Sequence, residues 1–81
     1  MSQVSVRYFA VLKEYAKVSE EKVNLESGDT GAALYLRLAE KYGFPLSLHD
    51  VRLAVSDSFV EMDRELVSGE DVVFIQPVAG G

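Results

Sequence analysis

The sequence predicts an α+β fold: one mixed sheet packed by one long helix plus a short helix. Three observations lead there. Val4, Val6 and Tyr8 alternate with Gln3, Ser5, Arg7 and Phe9, the period of two that marks a half-buried strand. Leu34, Leu38 and Tyr42 recur at helical spacing, and Tyr35 and Ala39 widen the stripe. Val72-Val73-Phe74-Ile75 is a nearly all-apolar run, which suits a central strand covered on both faces. One long helix across one sheet is the economical two-layer solution. Placing the first and last strands side by side in the middle of that sheet explains why both are rich in large apolar residues. The arrangement is a β-grasp; a ferredoxin-like two-helix sandwich is the alternative.

Each element follows from its residues. After the first strand, Ala10–Ala16 contains no breaker, and Leu12 with Tyr15 or Ala16 gives it an apolar face. A helix this short must be held by packing. Val23 and Leu25, set between Lys22, Asn24 and Glu26, read as a second short strand. Ser27-Gly28-Asp29 is turn chemistry. Thr30 is the expected N-cap of the long helix, with Gly31 weakening its first turn. Gly43 is a good residue to end it, and Pro45 blocks its resumption. Phe44 to Asp50 reads as a loop pinned by Phe44, Leu46 or Leu48. Val51, Leu53 and Val55 alternate with Arg52, Ala54 and Ser56 as a third strand. Asp57-Ser58 reads as a turn and Phe59–Met62 as a short return segment. Asp63-Arg64-Glu65 turns again, Leu66 drops into the core, and Ser68-Gly69-Glu70 turns into the last strand.

At 81 residues the chain is expected to form one domain. It has no cysteine, hence no disulfide, no thiol nucleophile and no cysteine metal site. No apolar run approaches transmembrane length, and the first seven residues lack the pattern of a secretory signal, so a cytoplasmic protein is expected. The formal net charge of −5 offers no basic face for a nucleic acid. That charge is uneven. Residues 51–81 carry only Arg52 and Arg64 against Asp57, Glu61, Asp63, Glu65, Glu70 and Asp71. Such a segment either solubilises a face or steers basic partners.

Motifs for catalysis are missing. The sequence holds no phosphate-cradling glycine loop, nucleophile elbow or calcium-loop spacing. His49, the only histidine, has no second ligand nearby and reads as a surface residue. Asp63, Glu65 and Glu70 lie among turn signals, which disfavours them as catalytic carboxylates. A chain of this size also leaves little room for a small-molecule pocket.

The end of the sequence offers a different kind of site. It closes on Pro77-Val78-Ala79-Gly80-Gly81, and two terminal glycines arise by chance in roughly one chain in 200. Pro77 has no N–H and cannot continue a central strand. The expected division is therefore a folded body over residues 1–76 and a projecting tail over 77–81. Without Cβ atoms, Gly80 and Gly81 can thread a slot too narrow for a side chain, leaving the terminal carboxylate as the most accessible reactive group. Alternation also sends Phe9 and Ile75 to the sheet face away from the long helix, where Phe59 can join them. Unless the short helix or a loop covers them, they form an apolar partner-binding patch beside the tail.

Val6-Arg7-Tyr8-Phe9-Ala10-Val11-Leu12-Lys13-Glu14 resembles the opening of the molybdopterin synthase small subunits, the sulfur-carrier subunits. So do the turn Leu66-Val67-Ser68-Gly69-Glu70-Asp71-Val72 and the ending Phe74-Ile75-Gln76-Pro77-Val78-Ala79-Gly80-Gly81. The spacing of these blocks extends the resemblance over essentially the whole chain. Gln76 stands where a second proline is common and Ser56 where Asn is; neither touches the reactive end.

The resemblance implies a ubiquitin-like β-grasp and a carrier, not an enzyme. An E1-like adenylyltransferase would use ATP to adenylate the carboxylate of Gly81, and sulfur transfer would leave a C-terminal thiocarboxylate, a 1-thioglycine. The arm Pro77, Val78, Ala79 and Gly80 would then enter a large synthase subunit, in a heterotetramer of two small and two large chains. There the sulfur would pass to cyclic pyranopterin monophosphate, building the dithiolene of molybdopterin. Phe9, Phe59 and Ile75 would form the interface, and the chain would bind no metal or cofactor of its own, nor any membrane. The same chemistry serves carriers for thiamin or tRNA thiolation, and a ubiquitin-like protein modifier is a further alternative.

Overall fold

A computed structural model describes residues 2–77 of the chain. Five strands and two α-helices follow in the order β1 (Gln3–Tyr8), α1 (Ala10–Ala16), β2 (Glu20–Asn24), α2 (Gly31–Tyr42), β3 (Arg52–Val55), β4 (Ser58–Val60) and β5 (Asp71–Ile75). A single 3-10 turn, Leu48–Asp50, lies between α2 and β3. The strands form one sheet in the order β2-β1-β5-β3-β4. β1 and β5 run parallel at its centre, and every other pairing is antiparallel. With α2 packed over one face, this is the mixed sheet of a β-grasp.

Core packing follows the alternation. Val4, Val6 and Tyr8 of β1, Val72 and Phe74 of β5, and Leu53 and Val55 of β3 are buried together with Leu34, Tyr35 and Leu38 of α2. Leu12 and Ala16 of α1, and Leu66 from the loop before β5, join this core. Burying a large aliphatic or aromatic side chain contributes about 1.5–3 kcal/mol. The aromatic residues lock into one another: Tyr35 meets Phe74 edge-on at 5.2 Å between centroids and stacks on Phe44 at 5.8 Å. The Tyr35 hydroxyl donates to the Leu46 carbonyl at 2.7 Å, which ties the segment after α2 to the helix.

α2 starts and stops where its sequence says. The Thr30 hydroxyl accepts from the Ala33 N–H at 3.1 Å, and Gly43 ends the helix in the left-handed region at φ 72°. The expectation for Gly31 needs correcting. It is not simply a weak first-turn residue but a buried contact point: a Cβ there would run into the Leu53 side chain and come within 3.2 Å of the Met62 carbonyl. The lost helix propensity is the cost of bringing α2 down onto β3.

Three boundaries also differ from the sequence expectation. The second strand is Glu20–Asn24, and Leu25 lies beyond it. Its polar look has a cause. Glu21 faces inward, and its Oε2 accepts from the hydroxyls of both Tyr8 and Tyr42 at 2.6 Å. A carboxylate thus occupies a position where a strand pattern calls for an apolar residue. In the β3–β4 hairpin the two turn residues are Ser56 and Asp57, with φ of 50° and 71°; Ser58 already pairs with Val55. Positive φ at both central positions is the hairpin-compatible turn that Asn-Gly favours, so Ser-Asp gave no signal for it. The return segment is correspondingly short, Ser58–Val60.

Two ion pairs fasten the loops. Arg37 of α2 donates to both carboxylate oxygens of Asp29, at 2.9 and 2.8 Å, and Asp29 is buried. Arg64 and Glu70 form a two-pronged pair at 3.0 and 2.8 Å, and Glu70 also accepts from the Val67 N–H. These bonds hold the Glu70 carboxyl below its usual pKa, and burial opposes them only in part.

Candidate functional site

The site grows out of β5, the central strand. Its inward residues, Val72 and Phe74, are fully buried. Its outward residues, Val73 and Ile75, are only half-covered. The all-apolar run predicts a strand covered on both faces. The structure places it centrally, seals Val72 and Phe74, and leaves Val73 and Ile75 half-exposed.

Register assembles the outward residues into rows. Arg7, Val73, Ala54 and Phe59 lie side by side across β1, β5, β3 and β4. One row nearer the tail, Ile75 lies beside Arg52. Phe9 follows β1 with extended dihedrals, so it continues the outward alternation toward this row. Phe59 and Phe9 are 69% and 53% exposed, so neither α1 nor a loop hides them. Phe9 is followed by Ala10 at φ 51°, a left-handed residue that turns the chain into α1. Half-exposed Val73 and exposed Arg52 belong to the same surface, with Ala54 buried between its neighbours in the row, and the sequence reading missed them. Their signal was the period of two in β3 and β5, once β3 is known to lie beside β5.

β5 ends at Ile75, and Gln76 and Pro77 are exposed and outside any strand. Val78, Ala79, Gly80 and Gly81 lie outside the described residues. The polar residues weighed as catalytic candidates fall elsewhere. Glu70 is bound into its loop by Arg64, Asp63 and Glu65 are exposed, and His49 is an exposed member of the 3-10 turn. Among the described residues no three His, Cys, Asp or Glu come together as metal ligands. An open groove runs between β2 and α2, lined by Lys22, Arg37, Glu40 and Lys41. Among the described residues no helix is long and apolar enough to cross a membrane.

A family model described as the ThiS family matches residues 6–81. The chain belongs to the ThiS family. The match spans the folded body and runs to the last glycine, which fits a ubiquitin-like sulfur carrier. Small carriers of the ThiS family are as a rule non-catalytic subunits. Solved structures agree on the fold. A Pyrococcus furiosus chain assigned as molybdopterin converting factor subunit 1 is 27% identical, with a TM-score of 0.81 over 96% of this chain and 100% of that one. Subunit 1 in a Helicobacter pylori complex of subunits 1 and 2 of molybdopterin-converting factor is 25% identical, with a TM-score of 0.67 over 98% and 99%. The small archaeal modifier protein 1 of Haloferax volcanii, 13% identical with a TM-score of 0.80 over 96% and 100%, shares the fold. No curated protein matches the chain.

Proposed function

We propose that this ThiS-family chain is the sulfur-carrying small subunit of a molybdopterin synthase, acting in the cytoplasm. The observation that carries the docking half of this reading is β5, apolar on both faces, covered on one, and running directly toward the tail. The pathway is supported by the names of the two chains at 27% and 25% identity.

The chemistry is that of a carboxylate made reactive elsewhere. A free carboxylate is a poor electrophile. An E1-like partner adenylates Gly81 with ATP and releases pyrophosphate; a sulfur donor then displaces AMP, and the terminus becomes a thiocarboxylate. Its sulfur, a stronger nucleophile than oxygen, bonds to a carbon of cyclic pyranopterin monophosphate in the large subunit and displaces an oxygen substituent there; water then cleaves the acyl–sulfur bond and returns Gly81 to a carboxylate. Pterin-binding groups, acids and bases belong to that partner. This chain supplies the sulfur, the arm Pro77–Gly81, and an interface of Phe9, Phe59 and Ile75. Burying such aromatic anchors at the centre of an interface is where binding energy concentrates.

Intact mass tests the reading. Incubation with ATP, a sulfur source and the cognate activating enzyme is expected to add about 16 Da, sulfur in place of oxygen. An unchanged mass with a competent enzyme would sink the proposal, and deletion of Gly81 is expected to abolish the shift. The family match leaves a carrier for thiamin or tRNA thiolation as the second reading. Co-purification with thiazole synthase instead of a synthase large subunit would favour it.

A further inference from the structure

Among the described residues, four other than glycine have a positive φ: Ala10, Lys17, Ser56 and Asp57. Three of them sit where a turn calls for it. Lys17 closes α1, its N–H donating to the Lys13 carbonyl, a position where left-handed residues commonly end helices. Ser56 and Asp57 are the central pair of the β3–β4 hairpin turn. Ala10 is different. It is the first residue of α1, with φ at 51°, where helical backbone has φ near about −63°. It is also exposed, so its methyl group buries little that would offset the strain. A glycine would make the same turn without the steric conflict, and the chain does use glycine at other positive-φ positions, 28, 43 and 69.

The neighbour of this strained residue is Phe9, and the chain on either side of the two is pinned. Before Phe9, Tyr8 is buried; its N–H donates to the Ser19 carbonyl at 3.0 Å and its hydroxyl to Glu21 at 2.6 Å. After it, the Phe9 carbonyl accepts from the N–H groups of Leu12 and Lys13 at 3.1 and 3.4 Å, and Leu12 is buried. Between these anchors, the dihedrals of Phe9 and Ala10 are what remains free to move. An alanine in the left-handed region occupies a small well surrounded by forbidden angles, whereas a glycine ranges widely at positive φ. Alanine therefore makes this joint stiff. The Phe9 ring is exposed, so the fold does little to hold it directly, and its direction depends on its backbone.

Resting on the docking reading above, we propose that Ala10 is a positioning residue: its left-handed backbone is a stiff joint that holds Phe9 out from the open sheet face, already aimed at the synthase large subunit. Ala10 takes no part in the sulfur transfer. An anchor fixed in its bound direction avoids the ordering cost that binding otherwise carries. Backbone strain persists where the surrounding structure enforces it, and it clusters where function needs a group held in place. The purely architectural reading makes the opposite prediction. If the chain needs only a sharp turn between β1 and α1, glycine serves that turn better and nothing is lost.

The test is a double-mutant cycle, read by titration calorimetry of the full chain against the synthase large subunit of the same organism, with the melting temperature of every variant measured alongside. Ala10→Gly is expected to melt about 2–5 °C higher, its strain relieved, yet to bind about 5-fold more weakly. Phe9→Ala is expected to bind about 10-fold more weakly, and adding Ala10→Gly to it should weaken binding no further. Ala10→Asn keeps a Cβ and enters the left-handed region more readily, so its affinity should match the parent's. Lys17→Gly relieves the same strain at the far end of α1 and serves as the control, with affinity changed less than about twofold. In the free chain, the order parameter of the Phe9 amide should fall from about 0.85 toward about 0.6 in Ala10→Gly and not in Ala10→Asn. The role of Ala10 is overturned, and the docking face stands, if Ala10→Gly binds like the parent, if its loss persists in full on the Phe9→Ala background, or if Lys17→Gly weakens binding as much. A lower melting temperature for Ala10→Gly overturns it too, since the methyl group would then serve the fold. If Phe9→Ala leaves affinity unchanged, the docking role of Phe9 fails and the proposal falls with it.

Discussion

The two faces of β5 are built from the same kinds of residue and meet opposite fates. Val72 and Phe74 turn toward α2 and are sealed. Val73 and Ile75, of equal hydrophobicity, turn the other way and stay half-open beside Phe9 and Phe59. Hydrophobicity therefore does not separate core from interface in this molecule; cover by the chain's own elements does. The inward face holds the fold together, and the outward face is left for something else to close.

The largest expected effect sets the two faces against each other. Phe74→Ala, which empties a fully buried aromatic site, is expected to cost about 3–5 kcal/mol of stability, enough to unfold much of so small a domain. Phe59→Ala is expected to shift stability by less than about 0.5 kcal/mol, yet to weaken binding to the large subunit by about 2 kcal/mol or more. Denaturant unfolding and calorimetry on both variants measure the contrast. Equal losses of stability would erase it.

Next comes the seam between helix and sheet. Gly31→Ala gains helix propensity of about 1 kcal/mol but drives a methyl group into Leu53, which is itself sealed in the core. Overpacking of this kind costs about 1–3 kcal/mol, so a net destabilisation is expected in urea melts. A more stable variant would mean that Leu53 can move aside and that the inward face is looser than its packing implies.

The third effect is pH-dependent. Burial, followed by the hydrogen bond to Glu21, raises the Tyr8 hydroxyl well above the usual tyrosine value and pushes Tyr42 up to about 12. Unfolded tyrosine loses its proton near pH 10, whereas these two keep theirs in the folded chain. Their contribution is thus complete below about pH 10 and is lost as pH rises toward 12. Alkaline unfolding, followed by tyrosinate absorbance, is expected to coincide with that window. Tyr42→Phe should flatten the alkaline limb and cost about 1–2 kcal/mol at neutral pH.

The smallest effect concerns the hairpin that carries Phe59. Ser56 and Asp57 both sit in the left-handed region, which costs roughly 1–2 kcal/mol for an ordinary side chain. Ser56→Asn with Asp57→Gly is expected to raise stability by about 1 kcal/mol, visible as a higher melting temperature. Tighter binding by the same variant would indicate that the hairpin end also belongs to the outward face.

These comparisons explain what the sequence could reveal. Both helices were legible because their signals are local: Thr30 and Gly43 bracket α2, and nothing between Ala10 and Ala16 breaks α1. The central position of β5 was legible from its apolar run. Its half-open state was not, since cover depends on where α1 and the loops come to lie. The second strand was misplaced because its inward carboxylate answers two tyrosines, one of them 21 residues on. Phe9, Phe59 and Ile75 could be nominated from alternation. Arg52 could not, because its place beside Ile75 is a matter of register between strands about 20 residues apart.

The parallel pairing of β1 with β5 joins residues 5–8 to residues 71–74, so the middle of the sheet closes between the two ends of the described chain. During synthesis, nascent chains still short of residue 71 have β1–β2, joined through α1, and the β3–β4 hairpin as separate strand pairs with no strand to bridge them, and an isolated two-stranded pair is marginal in water. Folding of the sheet thus waits for β5 to be made. A stalled fragment stays open to proteases, and a copy that survives to maturity has already been made through the strand that points to the terminal glycine.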